Sequence, residues 1–167
     1  MSTMRVDNIT EKTSGAGVHI PGHIIQVVES TRTIWTSTAT ASFVSTGHSV
    51  TITPSATSSK ILLIGSMNGT YTSNHNAYMQ VKLYKNSSDH GWIASNYGQE
   101  HASQGYTSNY GESLSWSWLD SPSTTSATTY ELFFRAPYGG TTVGYNNYAI
   151  NGNNTTRSNI IAQEVAQ

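Results

Sequence analysis

The acidic side chains Asp89, Glu100, Glu112 and Asp120 fall in or beside segments that read as loops. Glycoside hydrolysis needs two facing carboxylates, one as acid and one as base or nucleophile. The spacing of these four pairs no two of them, and solvated turn or edge charges are the plainer expectation. Glu100 and Glu112 are the one pair to inspect, in a groove shared between subunits. The histidines are His19, His23, His48, His75, His90 and His101, with no zinc-binding spacing. His19 and His23 are close enough in sequence for a symmetry axis to gather copies around an ion, but polar packing is the plainer reading. No serine sits in a Gly-x-Ser-x-Gly elbow. No glycine-rich loop follows a strand and opens a helix. The expectation is no catalysis, no metal and no other cofactor.

Aromatic side chains in polar surroundings are the better lead. Tyr97, Tyr106, Tyr110, Tyr138 and Tyr145 lie among Gly, Ser, Asn and Gln. Such rings offer flat apolar faces beside hydrogen-bonding groups, which suits sugars and protein surfaces. Tyr97, Tyr106, Tyr110 and Tyr138 are therefore the candidate ligand-binding residues. Trp116 and Trp118 share a strand face with Leu114 and are expected in a core or interface. Asn68, Asn86 and Asn154 each open a glycosylation sequon, as chance allows in a chain so rich in Asn and Thr.

The elements that would carry these residues read as short strands. Ile24–Val28 opens the main domain, and a Ser/Thr-rich stretch around Ile34-Trp35 follows. Phe43 to Pro54 reads as strand, turn, strand, with Val50 and Ile52 on one face. Lys60–Met67 is apolar on both faces at its start, which predicts a central strand covered on both sides, broken at Gly69. Ala77, Met79, Val81 and Leu83 alternate with Tyr78, Gln80, Lys82 and Tyr84, a half-buried strand with a wet face. Asn86–Asp89 is a hairpin connection to Trp92–Ala94. Residues 96–111 form a long polar insertion, a candidate functional loop. Tyr130, Leu132 and Phe134 face inward on the strand Thr128–Ala136. Phe133 faces outward beside Glu131 and Arg135, which are placed to pair across the sheet or between subunits. Val143–Tyr145 and Asn159–Val165 close the domain.

This pattern predicts an all-β domain, a β-sandwich or jelly roll over residues 24–167. Residues 1–23 read as an extended N-terminal arm that needs a partner surface to become ordered. Charged residues are only 10% of the 167, Lys+Arg number 8, and the net charge is -1. Holding a nucleic acid through many phosphate contacts is therefore unsupported. No apolar run approaches a membrane span, and no h-region follows the start. Cysteine is absent, so no disulfide framework exists.

Several stretches carry a resemblance: Met1–Ile9, the Ser14-Gly15-Ala16-Gly17 turn, Val18–Val27, Phe43–Gly47, Val50–Pro54, Ser58–Leu63, Val81–Asn86 and Ile160–Gln167. Together they resemble short bacteriophage virion proteins, especially tail-fibre and related fibre proteins of aquatic phages. The resemblance implies a homotrimer in the virion. It implies an arm that attaches to other virion proteins and a head that touches the bacterial surface, with a glycan as the expected target. The alternatives are a capsid decoration or cement protein, and a small hydrolase with a site between subunits.

Overall fold

The computed structural model describes residues 20–73, 79–94, 112–137, 141–146 and 156–167. Among them lie ten strands and no helix: β1 (Ile24–Arg32), β2 (Thr36–Thr38), β3 (Val44–Ile52), β4 (Lys60–Thr72), β5 (Gln80–Lys85), β6 (Ser88–Ala94), β7 (Glu112–Asp120), β8 (Thr128–Arg135), β9 (Val143–Tyr145) and β10 (Ser158–Val165). Period-two alternation decides which side chains enter the core. In β8, Tyr130, Leu132 and Phe134 point inward and are buried. In β10, Ile160 and Ala162 do the same.

All the pairings are antiparallel and make two sheets. The six-stranded sheet runs β1-β10-β4-β9-β2, with β7 also on β4, and the four-stranded sheet runs β3-β8-β5-β6. Both β10 and β7 pair with Ile61–Ser66 of β4, so they occupy its opposite edges. The partners are nested in sequence: β1 with β10, β3 with β8, β4 with β7 and β5 with β6. One apolar cluster joins the two sheets. Ile61, Leu63, Met67, Trp116 and Ile160 come from the first, and Val50, Ile52, Leu83, Leu132 and Phe134 from the second.

Three expectations about strands change. Residues 43–54 hold a single strand, β3, with a bulge where register with β8 breaks between Ser45 and Ser49. Gly47 takes φ +65° there. The Thr46 hydroxyl donates to the Leu132 carbonyl at 2.6 Å and so fills the gap in the ladder. A bulge absorbs the same Gly and polar residues that elsewhere would make a turn. β4 likewise passes through Gly69 (φ +59°) to Thr72. It is central in its sheet, but among the described residues only one face is covered: Ile61 and Leu63 are buried, while Ile64 is 41% exposed. The β5–β6 hairpin turns at Asn86 and Ser87, both at positive φ (49° and 66°), as a two-residue type I′ turn requires.

Asn146 stitches the two interrupted strands together. It is fully buried at φ +56°. Its side-chain amide donates to the Arg32 carbonyl at 3.0 Å and the Ile34 carbonyl at 3.3 Å, across the β1–β2 break. Its side-chain oxygen accepts from the Ser158 hydroxyl at 2.6 Å, at the start of β10. Its backbone N–H reaches the Asn68 carbonyl at 2.8 Å beside the β4 irregularity. Asn146→Ala should lose about 2–3 kcal/mol, because the buried Ser158 hydroxyl loses its acceptor and the Arg32 carbonyl loses a donor. Asn146→Gly keeps the backbone conformation and should lose as much. Urea unfolding checks both, and a Gly variant as stable as wild type would show that the side chain contributes nothing.

Glu164 closes the other end. Its inward carboxylate accepts from the Ser55 N–H and hydroxyl, each at 2.7 Å, and from the Gln26 amide at 2.6 Å. Burial raises its pKa, but these hydrogen bonds outweigh that and hold it below the ordinary value.

Candidate functional site

Strand ends sort into two ends of the molecule. Ile24, Val165, Lys60 and Asp120 line up at one end of the first sheet, through the pairs Ile24↔Val165, Val165↔Lys60 and Ile61↔Asp120. Thr38, Val143 and Thr72 line up at the other, and Glu112 pairs with Thr70 beside them. In the second sheet Val44, Phe134, Val81 and Ala94 are level with that far end. The described part of the arm, Ile20–His23, is fixed at the near end: the Gly22 N–H donates to the Ala166 carbonyl and the Ala166 N–H to the His23 carbonyl, both at 2.9 Å. The Pro21-Gly22 turn is closed by the His23 N–H on the Ile20 carbonyl at 2.9 Å, with Gly22 at φ +82°.

The candidate tyrosines Tyr97, Tyr106, Tyr110 and Tyr138 lie outside the described residues. So do His19, His75, His101 and Glu100. The strands that flank segments 95–111 and 138–140 reach them from the far end: β6 ends at Ala94, β7 begins at Glu112 and β8 ends at Arg135. Tyr145 is a correction. It is fully buried, edge-on to Phe134 at 6.2 Å, and belongs to the core. Its strand was expected, but its ring was read as lying in polar surroundings; pairing of Tyr145 with Thr36, and of Gly144 and Val143 with Tyr71 and Thr72, places it in the sheet. Trp116 is in the core as expected, and Trp118 packs against it.

An aromatic surface that loop reading missed covers the outer face of the four-stranded sheet. Cross-strand register sets Trp92, Lys82, Phe133 and Ser45 in one row, and Asp89, Tyr84, Glu131 and Ser49 in the next. Phe133 stacks on Tyr84 with ring centres 3.8 Å apart and planes 17° apart. Phe43 meets Trp92 edge to face at 5.5 Å. The Lys82 ammonium lies 4.5 Å from the Trp92 ring centre and 5.1 Å from that of Phe43. The Arg135 guanidinium lies 4.7 Å from Phe43. Lys82 pairs with Asp89. Glu131 accepts from Ser45, and Arg135 donates to the Gln80 side chain at 2.7 Å and the Ala41 carbonyl at 3.2 Å. Glu131 and Arg135 thus take separate partners rather than each other. Trp92 remains 44% exposed. The sequence signal was present: Lys82 and Tyr84 share the face opposite Val81 and Leu83, and Trp92 faces them across the hairpin.

A second polar cluster sits at the near end. Asp120 was expected as a solvated turn charge, but it is only 7% exposed. Its Oδ2 accepts from the Tyr130 hydroxyl at 2.6 Å and Lys85 at 3.0 Å. Its Oδ1 faces His90 at 3.2 Å and Lys85 at 3.3 Å. Burial raises the Asp120 pKa, but the hydrogen bonds from Tyr130 and Lys85, with the charges of Lys85 and His90, more than offset it and hold the carboxyl low. Burial, and then donation to that carboxylate, push the Tyr130 hydroxyl far above an ordinary phenol. Both oxygens are occupied, so the cluster reads as a latch between sheets. His48 is also buried, with Nε2 3.2 Å from the Ser30 carbonyl. Burial, mainly, lowers its pKa. Among the described residues no group of three His, Asp or Glu side chains is placed to hold a metal. His23 is exposed at the near end, and the Glu112 backbone starts β7.

No family model matches the chain, and no curated protein matches it either.

Proposed function

We propose that this chain is a virion protein of the phage-fibre kind, with a jelly-roll head that binds a bacterial surface glycan and an arm that joins other virion proteins. The nested pairing supports the jelly-roll reading. If β1 with β2 and β9 with β10 count as single interrupted strands, eight strands stand in the order 1-8-3-6 facing 2-7-4-5. Two nested Greek keys give that order, and jelly rolls build viral capsid and lectin domains. The observation that carries the functional reading is polarity. The arm leaves at one end, while the segments bearing Tyr97, Tyr106, Tyr110 and Tyr138 are reached from the opposite end. An attachment protein needs that separation, since one end is buried in assembly.

The exposed Trp92 ring stands three residues before segment 95–111 and extends this end onto the sheet face. A pyranose ring stacks its C–H face on such an aromatic surface. Lys82, Asp89 and Arg135 supply hydrogen-bonding groups for its hydroxyls. No catalytic role is assigned. As a homotrimer, three weak sites would act together through avidity.

Trp92→Ala should lower affinity for host polysaccharide at least tenfold, with an unchanged fold, because a stacked aromatic anchor is worth about 2 kcal/mol. Calorimetry against a panel of bacterial surface polysaccharides tests it. Binding that is undiminished in Trp92→Ala and in Tyr106→Ala/Tyr110→Ala would refute this placement. No binding to any member would count against recognition itself.

A further inference from the structure

We infer that copies of this chain meet through the near half of the outer face of the six-stranded sheet. This deepens the homotrimer reading above by naming its contact. Register sets Val27, Gln163, Leu62 and Leu119 in one row across β1, β10, β4 and β7. The next row is Glu29, Ile161, Ile64 and Ser117. Val27 is 57% exposed, Leu119 56%, Ile24 44% and Ile64 41%. Farther along the same face the row is Thr31, Asn159, Ser66 and Ser115. A sheet face in water is expected to be polar throughout. Here only the far half is. Scattered exposed aliphatics are ordinary, but a contiguous group across four strands marks a contact surface.

Charge points to a second copy as the occupant. Lys60 lies beside Val165 at the near edge of the patch, and Glu29 sits at the β1 end of the second row. A copy of the same chain brings the complement of each. Among the described residues Glu29 meets Arg157 at 3.4 Å, and both side chains stay exposed, at 48% and 60%. With a net charge of -1, copies are not driven apart. The patch also adjoins Ile24, where the arm joins the head, so assembly of the arm and of the heads would bury one continuous region.

The test is the solution mass of the full chain, by analytical ultracentrifugation, with and without Leu119→Glu and Val27→Glu. Both side chains are more than half exposed, so the fold should survive, and circular dichroism checks each variant. The expected result is an oligomer in wild type and association weakened about a hundredfold or more by either variant, down to single chains, because a carboxylate would be buried unpaired. A wild type that stays a single chain at every concentration, or folded variants that keep the oligomer, would overturn the inference. A dimer that either variant breaks would uphold the face and remove the threefold arrangement. Trp92→Ala should leave the mass unchanged, so loss of glycan binding and loss of assembly are read separately.

Discussion

Asp120→Ala should cost the fold about 3 kcal/mol, the range for removing one partner from a buried charged cluster. The reason lies in what remains. Tyr130 is fully buried and its hydroxyl has Asp120 as its acceptor at 2.6 Å. Without the carboxylate, that hydroxyl and the Lys85 ammonium lose their partner in a poorly solvated place. Asp120→Asn keeps an acceptor for Tyr130 and should cost less, about 1.5 kcal/mol. The effect depends on pH in a fixed direction. The folded pKa of Asp120 lies below its ordinary 3.8. Its contribution is therefore whole above that value and is lost as pH falls through the lower folded value. The gap between wild type and Asp120→Asn should be full at pH 7 and narrow as the pH is taken well below 3.8. Glu164 titrates alike in both proteins and drops out of the difference. Urea unfolding at the two pH values makes the comparison. A gap of equal size at both would mean that the charge does not stabilise the fold.

Gly65→Val should cost about 3 kcal/mol and Gly65→Ala somewhat less, the upper range for overpacking a core. Gly65 sits mid-strand in β4, directly opposite Trp116 of β7. A Cβ built on Gly65 would stand 2.5 Å from Cε2 and 2.9 Å from Nε1 of that indole. The ring cannot step aside easily, since it is 9% exposed and packed between the sheets. A glycine in a strand interior otherwise weakens the strand, so close approach of the ring is the physical reason for it. A double-mutant cycle with Trp116→Leu provides the check. With the ring gone, much of the cost of Gly65→Ala should disappear. If Gly65→Ala cost the same in both backgrounds, the ring would not be what excludes a side chain there.

Alternation alone was enough to find β8 and β10, because one face of each is core and the other is not. The same logic placed Trp116, Trp118, Phe133 and the Met79–Leu83 face. It misjudged residues whose neighbours come from far along the chain. Gly47 and Gly69 looked like breaks, yet long-range pairing carried each strand through as a bulge. Asp120 looked solvated because its sequence neighbours are turn residues, but Tyr130, Lys85 and His90 come from other strands. The Tyr145 ring was read as lying in polar surroundings for the same reason.

The sequence by itself determined that this is an all-β chain with an inward-facing set of aliphatic and aromatic side chains and very little charge. Those are local properties, written in a period of two and in residue type. Tertiary structure alone decided the nested order of strands, the opposition of Ile20–His23 to the strand ends at Ala94, Glu112 and Arg135, and the meeting of Trp92, Phe43, Lys82 and Arg135 on one face. Register between strands tens of residues apart sets each of these. A strand's own alternation says which side faces in, but not which strand will lie beside it.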